Sequence, residues 1–262
     1  MPPLPEPLAF MSGAQIESVL YVVGGQTTMN DSTGVRVFWS LDLAQRHRPG
    51  EFAWKILPPW PGPGRILPVV VSQRVNNRDQ VFVFSGRSQP PGRASTLFDD
   101  AYAYDVGSGT WRELGRIRTG VGTSETRCIN AGTAVTDRTG RILVFGGDGG
   151  VLFRELESHD LAIAALKASP ATVDKAELLT RAESIAAHAE AKRRIYEQHP
   201  GFSRDVLAYD PQLDLWELVA TTPATPQVTT VAVRWGEEII IPSGEIRPGV
   251  RTPAIIRIRI TP

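Results

Sequence analysis

Ile142-Leu143-Val144-Phe145-Gly146-Gly147 decides the fold of this chain, because the same phrase recurs at three other places. Its counterparts are Leu20-Tyr21-Val22-Val23-Gly24-Gly25, Val81-Phe82-Val83-Phe84-Ser85-Gly86 and Ile239-Ile240-Ile241-Pro242-Ser243-Gly244. Each is a short β-branched or aromatic run closed by two small residues, the composition of a buried strand entering a tight turn. After the first three comes an aromatic-rich strand that closes on aspartate: Phe38-Trp39-Ser40-Leu41-Asp42, Ala101-Tyr102-Ala103-Tyr104-Asp105 and Val206-Leu207-Ala208-Tyr209-Asp210. A tryptophan then leads a further strand, at Trp54, Trp111 and Trp216. An ordered unit recurring in this way is a repeat, and each unit buries its apolar faces only against its neighbours.

This order of strand, small pair, aromatic-Asp and Trp resembles the kelch repeat. The resemblance implies an all-β, kelch-type β-propeller built of antiparallel four-stranded blades. The small pair lets backbone pass closely near the propeller axis, and the aromatics fill the wedge between adjacent blades. The pairs begin at positions 24, 85, 146 and 243, so they lie 61, 61 and 97 residues apart and the third blade carries an insertion. There, between Gly147 and Val206, the composition switches to Ala, Glu, Leu and Lys. The spacing predicts a helical hairpin over residues 152–200. Its first helix runs roughly from Phe153 to Lys167 and is ended by Ser169-Pro170. The second starts near Thr172, carries Leu178, Ala182, Ile185, Ala189 and Tyr196 at helical spacing, and is stopped by His199-Pro200. His159, His188 and His199 in this hairpin read as solvated helix-face residues.

Composition removes several function classes. Lys+Arg and Asp+Glu are both 28, giving zero formal net charge, and no block of like charge offers a surface for nucleic acid or an anionic membrane. The single Cys128 excludes an intramolecular disulfide and a cysteine-based zinc site. With four scattered histidines, neither a metal nor another cofactor is expected, and copper oxidase chemistry on kelch blades lacks its ligands. The N-terminus has neither a basic start nor an apolar core, so the chain as encoded reads as cytoplasmic, with a periplasmic location expected if the true start lies upstream.

The most informative polar stretch is Ser243-Gly244-Glu245-Ile246-Arg247-Pro248-Gly249-Val250-Arg251-Thr252. Apolar runs enter and leave it, so it is a strand-to-strand connection reversed at Pro248-Gly249. Glu245 and Arg251 are placed to face one pocket across that reversal; the alternative is an ordinary exposed turn. In a propeller the second-to-third loops and the blade-linking segments share one face, so the helical insertion is expected to wall the same mouth. The linking segments bring Arg65, Arg127 and Gln227 toward it. For Arg65 and Arg127 the competing reading is a rim cation bound to backbone carbonyls. Glutamate beside arginines suits an anionic, hydroxylated small molecule, an acidic sugar.

Kelch blades, a helical insertion ahead of Phe202-Ser203-Arg204-Asp205-Val206-Leu207-Ala208-Tyr209-Asp210, and then Gly244-Glu245-Ile246-Arg247-Pro248-Gly249-Val250-Arg251-Thr252 together resemble the N-acetylneuraminate epimerases, the sialic acid mutarotases, in particular their cyclically permuted branch. That family carries Asn-Gly-Glu-x-Lys-Pro-Gly-x-Arg-Thr at this place; here Ser243 stands for the Asn and Arg247 for the Lys. The resemblance implies an isomerase in which Glu245 is the catalytic carboxylate and Arg251 its partner; loop position adds Arg65, Arg247 and Gln227 as substrate-binding candidates. Family members have six blades and four are visible here, so about two are expected to be absent from the N-terminal side. Open edges would then invite self-association. The competing function is a non-catalytic kelch interaction module or a degenerate fragment.

Overall fold

The repeats form four antiparallel sheets in the computed structural model, which describes residues 1–120 and 122–259. The first sheet orders β1 (Ser12–Ile16), β2 (Val19–Val23), β3 (Phe38–Asp42) and β4 (Lys55–Ile56). The second contains β5 (Val69–Val75) and β6 (Arg78–Phe84), continued by β9 (Ala101–Asp105) and β10 (Thr110–Glu113). Between β6 and β9 a two-stranded ribbon stands apart, β7 (Arg87–Ser88) with β8 (Thr96–Leu97). The third sheet orders β11 (Thr133–Thr136), β12 (Ile142–Phe145), β13 (Asp205–Asp210) and β14 (Leu215–Thr221). The fourth orders β15 (Val233–Trp235), β16 (Glu238–Arg247) and β17 (Val250–Arg259), with no fourth strand among the described residues. Trp111 and Trp216 lie within the outermost strands of their sheets, and Trp54 directly precedes its own.

The unbroken apolar runs follow from packing on both faces. Side chains alternate along a strand, so Val81 and Val83 of β6 join Tyr21, Val23 and Phe38 of the first sheet. Phe82 and Phe84, pointing the other way, join Ile142, Val144, Leu207, Tyr209 and Trp216 of the third. A third cluster sets Leu143, Phe145, Val206 and Ala208 against Ile239 and Ile241 of the fourth sheet. Every inter-blade wedge is filled by aromatic and branched side chains in this way. Phe84 meets Trp216 edge-on at 4.9 Å, and Phe38 meets Tyr104 at 4.8 Å. The architecture is the kelch-type propeller expected.

The small pairs work by close approach. A Cβ on Gly147 would sit 2.7 Å from the Ile129 carbonyl oxygen, and one on Gly86 would sit 2.9 Å from that of Ile66. Both positions also have positive φ, +92° and +105°, which L side chains rarely adopt. The strand end therefore presses on the segment that links in from the preceding blade. That contact repeats in all four sheets as an isolated bridge: Ala9 with Gln26, Ile66 with Arg87, Asn130 with Asp148, Val228 with Glu245.

The insertion is a pair of helices, α1 (Val151–Ala168) and α2 (Lys175–Gln198), close to the expected bounds. Asp174 caps α2 by accepting from the amides of Ala176 at 2.8 Å and Glu177 at 3.4 Å. The apolar stripe expected to bury α2 is a departure. Leu178 is 45% and Tyr196 43% exposed, while Ser184, Ile185, His188 and Lys192 are half-buried. The reason is that α2 rests only on α1 and the blade mouth, so it needs one narrow contact line and not a core-facing face. No helix among the described residues is long and apolar enough to cross a membrane.

Candidate active site

A cleft of about 600 Å³ opens where the second-to-third connections of the sheets meet α1. One wall is Glu245 and Pro248 of the β16–β17 hairpin, with Val228 and Thr229 of the segment that links into the fourth sheet. The floor is Asn130, Ala131 and Asp148 of the third sheet, with Leu67 and Arg87 of the second. Phe153, Leu156, Glu157 and Leu161 of α1 form the roof, joined by Tyr196, His199 and Phe202. The loop Gln89-Pro90-Pro91-Gly92-Arg93, between β7 and β8, closes another side.

Glu245 reaches this wall because β16 continues through the small pair into a two-residue turn, Pro248-Gly249, with Gly249 at φ +74°. Glu245 is half-buried, and one carboxylate oxygen accepts from the Gly249 amide at 2.6 Å. Arg251 is the direct cross-strand partner of Glu245 in the antiparallel register. It is exposed, does not line the cleft, and reaches the Thr229 hydroxyl at 3.4 Å, one residue behind the wall. The hairpin therefore sets the pair side by side with the carboxylate inside and the guanidinium at the rim.

The three other sequence candidates hold the walls. Arg65 is fully buried and does not line the cleft. Its guanidinium pairs with both oxygens of Asp100, at 2.6 and 2.9 Å, donates to the Ser85 carbonyl at 2.8 Å, and lies over the rings of Trp60, Phe98 and Tyr102. This corrects its reading as a ligand contact: the linking segment is drawn inward, so the side chain points between blades and not out to the mouth. Gln227 is likewise buried and outside the cleft; its amide nitrogen donates to the Ala254 carbonyl of β17 at 3.0 Å. Arg247 also lies outside the lining, donating to the Glu197 carbonyl in the last turn of α2 at 3.3 Å. A cation there complements the helix C-terminus and staples the hairpin to the insertion. Arg127 pairs with Asp205 at 2.5 Å and with the Ser203 hydroxyl at 2.6 Å.

The histidines differ from the solvated faces expected. His159 and His188 meet through their Nδ1 atoms at 2.9 Å, one donating and one accepting, and hold α1 to α2. His199 lines the cleft, and its Nδ1 accepts from the Gly201 amide at 3.0 Å, which puts the proton of the neutral ring on Nε2. Burial holds His199 below the ordinary imidazole range and Arg247 adds to that, against the opposing charge of Asp148.

Arg87, Asn130 and Asp148 are cleft residues that sequence reasoning passed over. The signal was present, since Gln26, Arg87, Asp148 and Glu245 each directly follow the small pair of their blade and make the equivalent bridge. The position that aims Glu245 at the cleft aims Arg87 and Asp148 there too. Burial pulls the Arg87 guanidinium below its ordinary value, opposed by the charges of Asp148, Cys128, Glu157 and Glu245. Glu157, on α1, is spoken for, accepting from the Ser95 amide at 2.9 Å and from the Ser95 hydroxyl at 2.5 Å.

Known proteins resemble this chain in sequence and in fold. The model of the N-acetylneuraminate epimerase family matches residues 1–262. An N-acetylneuraminate epimerase of Brucella melitensis biotype 1 is 29% identical over 191 residues, 69% of this chain and 42% of that protein. One from Vibrio vulnificus is 27% identical over 253 residues, 92% of this chain and 54% of that protein. The chain thus spans about half the length of the curated relatives it matches. The solved structure of YjhT superposes with a TM-score of 0.68 at 18% identity, covering 98% of this chain and 63% of that one.

Proposed function

Because the chain belongs to the N-acetylneuraminate epimerase family, we propose that its cleft interconverts the α and β anomers of N-acetylneuraminic acid or a related acidic sugar. Glu245 is the proton carrier in this reading. Its carboxylate takes the anomeric hydroxyl proton as the bond from the anomeric carbon to the ring oxygen breaks, and the ring oxygen takes a proton from solvent water. The resulting open-chain ketone turns and recloses on its other face; the ring-forming hydroxyl gives its proton back to water, and the carboxyl returns its own to the new anomeric oxygen. Arg251, held beside Glu245 by strand register, supplies positive charge at the rim.

The observation that supports this reading is the seating of Glu245. The half-buried Glu245, with one carboxylate oxygen on the Gly249 amide, stands in the wall of a cleft whose size suits a monosaccharide. The test follows freshly released α-N-acetylneuraminate by proton NMR. Exchange to the β form faster than in buffer is expected, and exchange at the buffer rate sinks the catalytic reading for this chain. A second reading, capture of an acidic sugar without turnover, is favoured by the exposure of Arg251 outside the cleft. Saturable binding without acceleration would establish it.

A further inference from the structure

We infer that Arg87, and not Arg251, is the seat of the substrate carboxylate, with the ring of Phe153 stacked on its guanidinium and Asn130 receiving a neighbouring donor of the sugar. The inference rests on the sugar-binding reading above and deepens it.

Arg87 is a half-buried cleft cation whose charge the protein leaves unanswered; Arg93, which also lines the cleft without an ion pair among the described residues, is exposed to solvent. Its guanidinium carbon lies 4.0 Å from the centre of the Phe153 ring, so one face of the plane is covered by α1. Among the described residues its side chain has no ion-pair or hydrogen-bond partner, and its Nε is buried and unbonded. Elsewhere in the chain, the buried Arg65 is answered by Asp100, and the half-buried Arg127 by Asp205 and Ser203. The nearby carboxylates are occupied with their own surroundings. Asp148 accepts from the Gly150 amide at 2.7 Å, Glu157 holds Ser95, and Glu245 holds Gly249.

A desolvated cation without a partner costs stability, and an arriving carboxylate removes that cost by forming the two parallel bonds a guanidinium favours. Asn130 adds a second unanswered group. It is fully buried and lines the cleft, its amide nitrogen donates to the Asp148 carbonyl at 2.8 Å, and its buried Oδ1 has no partner. An N–H or hydroxyl of the ligand is the donor that oxygen lacks.

Repeat geometry places this seat against the proton carrier. Arg87 and Glu245 occupy the equivalent position in the second and fourth blades, and the charge of Glu245 is felt at Arg87. In N-acetylneuraminic acid the carboxylate and the anomeric hydroxyl share one carbon. A guanidinium from one blade and a carboxylate from another, converging on one cleft, is what such a carbon requires.

The test compares binding of N-acetylneuraminate and its uncharged methyl ester by calorimetry, in the wild type, Arg87→Gln and Arg251→Gln. The wild type is expected to favour the acid by about tenfold to a hundredfold. Arg87→Gln should lose that preference while keeping the ester affinity, and Arg251→Gln should retain most of it. An Arg87→Gln protein that still prefers the acid overturns the seat, as does loss of the preference in Arg251→Gln alone. A wild type that binds the sugar without preferring the acid also overturns the seat but leaves the sugar reading standing. A wild type that binds neither sugar ends both. If Arg87→Gln fails to fold, Arg87→Lys decides. A preference reduced several-fold is expected because an ammonium cannot make the fork, and an unchanged ratio overturns the inference.

Discussion

Glu245→Gln is expected to lower anomer exchange by about a hundredfold to ten-thousandfold, the contribution of a positioned proton carrier. The amide oxygen of glutamine still accepts from Gly249, so the hairpin keeps its turn and thermal unfolding should be unchanged. Acceleration that survives the change removes Glu245 from its role. Arg65 belongs to the opposite category. Arg65→Met leaves Asp100 buried with only the Tyr102 hydroxyl at 3.0 Å, a loss of about 3–5 kcal/mol that lowers Tm by roughly 10 °C. An Arg65→Met protein that melts like the wild type but loses sugar binding would restore Arg65 as a ligand contact. The two residues were equally visible as charged loop positions. What separates them is the direction of the side chain, which depends on neighbours distant in sequence: Asp100 and Ser85 for Arg65, and Val228 for Glu245.

At the scale of elements, α1 is a roof fastened at one main point. Glu157 holds the Ser95 amide and hydroxyl, and so binds α1 to the ribbon that carries Gln89 through Arg93. Glu157→Ala is predicted to speed amide hydrogen exchange at Ser95 and its ribbon neighbours and to raise KM more than it lowers kcat, since Glu245, the proposed proton carrier, lies on another blade. Unchanged protection at Ser95 would show that the roof is held by packing alone. The helices themselves were legible from the switch to Ala-rich composition and from the stops at Ser169-Pro170 and His199-Pro200. Which of their faces would be used was not, because a helix resting on a single partner carries no strong apolar stripe. For the same reason His199 read as solvated although it turns into the cleft.

Over the whole molecule, the inter-blade wedges carry tyrosines whose ionisation the fold resists. Burial, with the charge of Asp100 and the bond to it, pushes Tyr102 up to about 12 from an ordinary 10. Burial also raises Tyr21, Tyr104 and Tyr209. A raised folded pKa means that the stabilisation is complete below the unfolded value near 10 and is lost as pH rises through about 12. Chemical unfolding stability should therefore hold to about pH 10 and fall steeply above it, in step with tyrosinate absorbance; tyrosines titrating near 10 in an intact fold would contradict this. The outer face of the fourth sheet raises a second whole-molecule matter. Val233, Trp235 and Ile255 are 43%, 77% and 63% exposed. Concentration-dependent association in sedimentation is predicted, and Trp235→Glu should weaken it; a monomer at all concentrations would dismiss the idea.

The repeat was the sequence's own to announce. Strand, small pair, aromatic-Asp and Trp are local patterns, and their physical causes, alternation along a strand and the close approach at Gly86 and Gly147, act within a few residues or between adjoining segments. The hairpin of Glu245 and Arg251 was readable on the same ground; their facing register was not, because a bulge between Glu245 and Arg247 is what sets Glu245 opposite Arg251. The membership of the cleft was decided only by the tertiary structure. Arg87, Asn130, Asp148, His199 and Phe153 come from four separate stretches of chain, and blade stacking brings them together through contacts that no local pattern records. The same stacking turned Arg65 inward and left Arg87 without a partner, because side-chain direction at a blade mouth is set by the neighbouring blade.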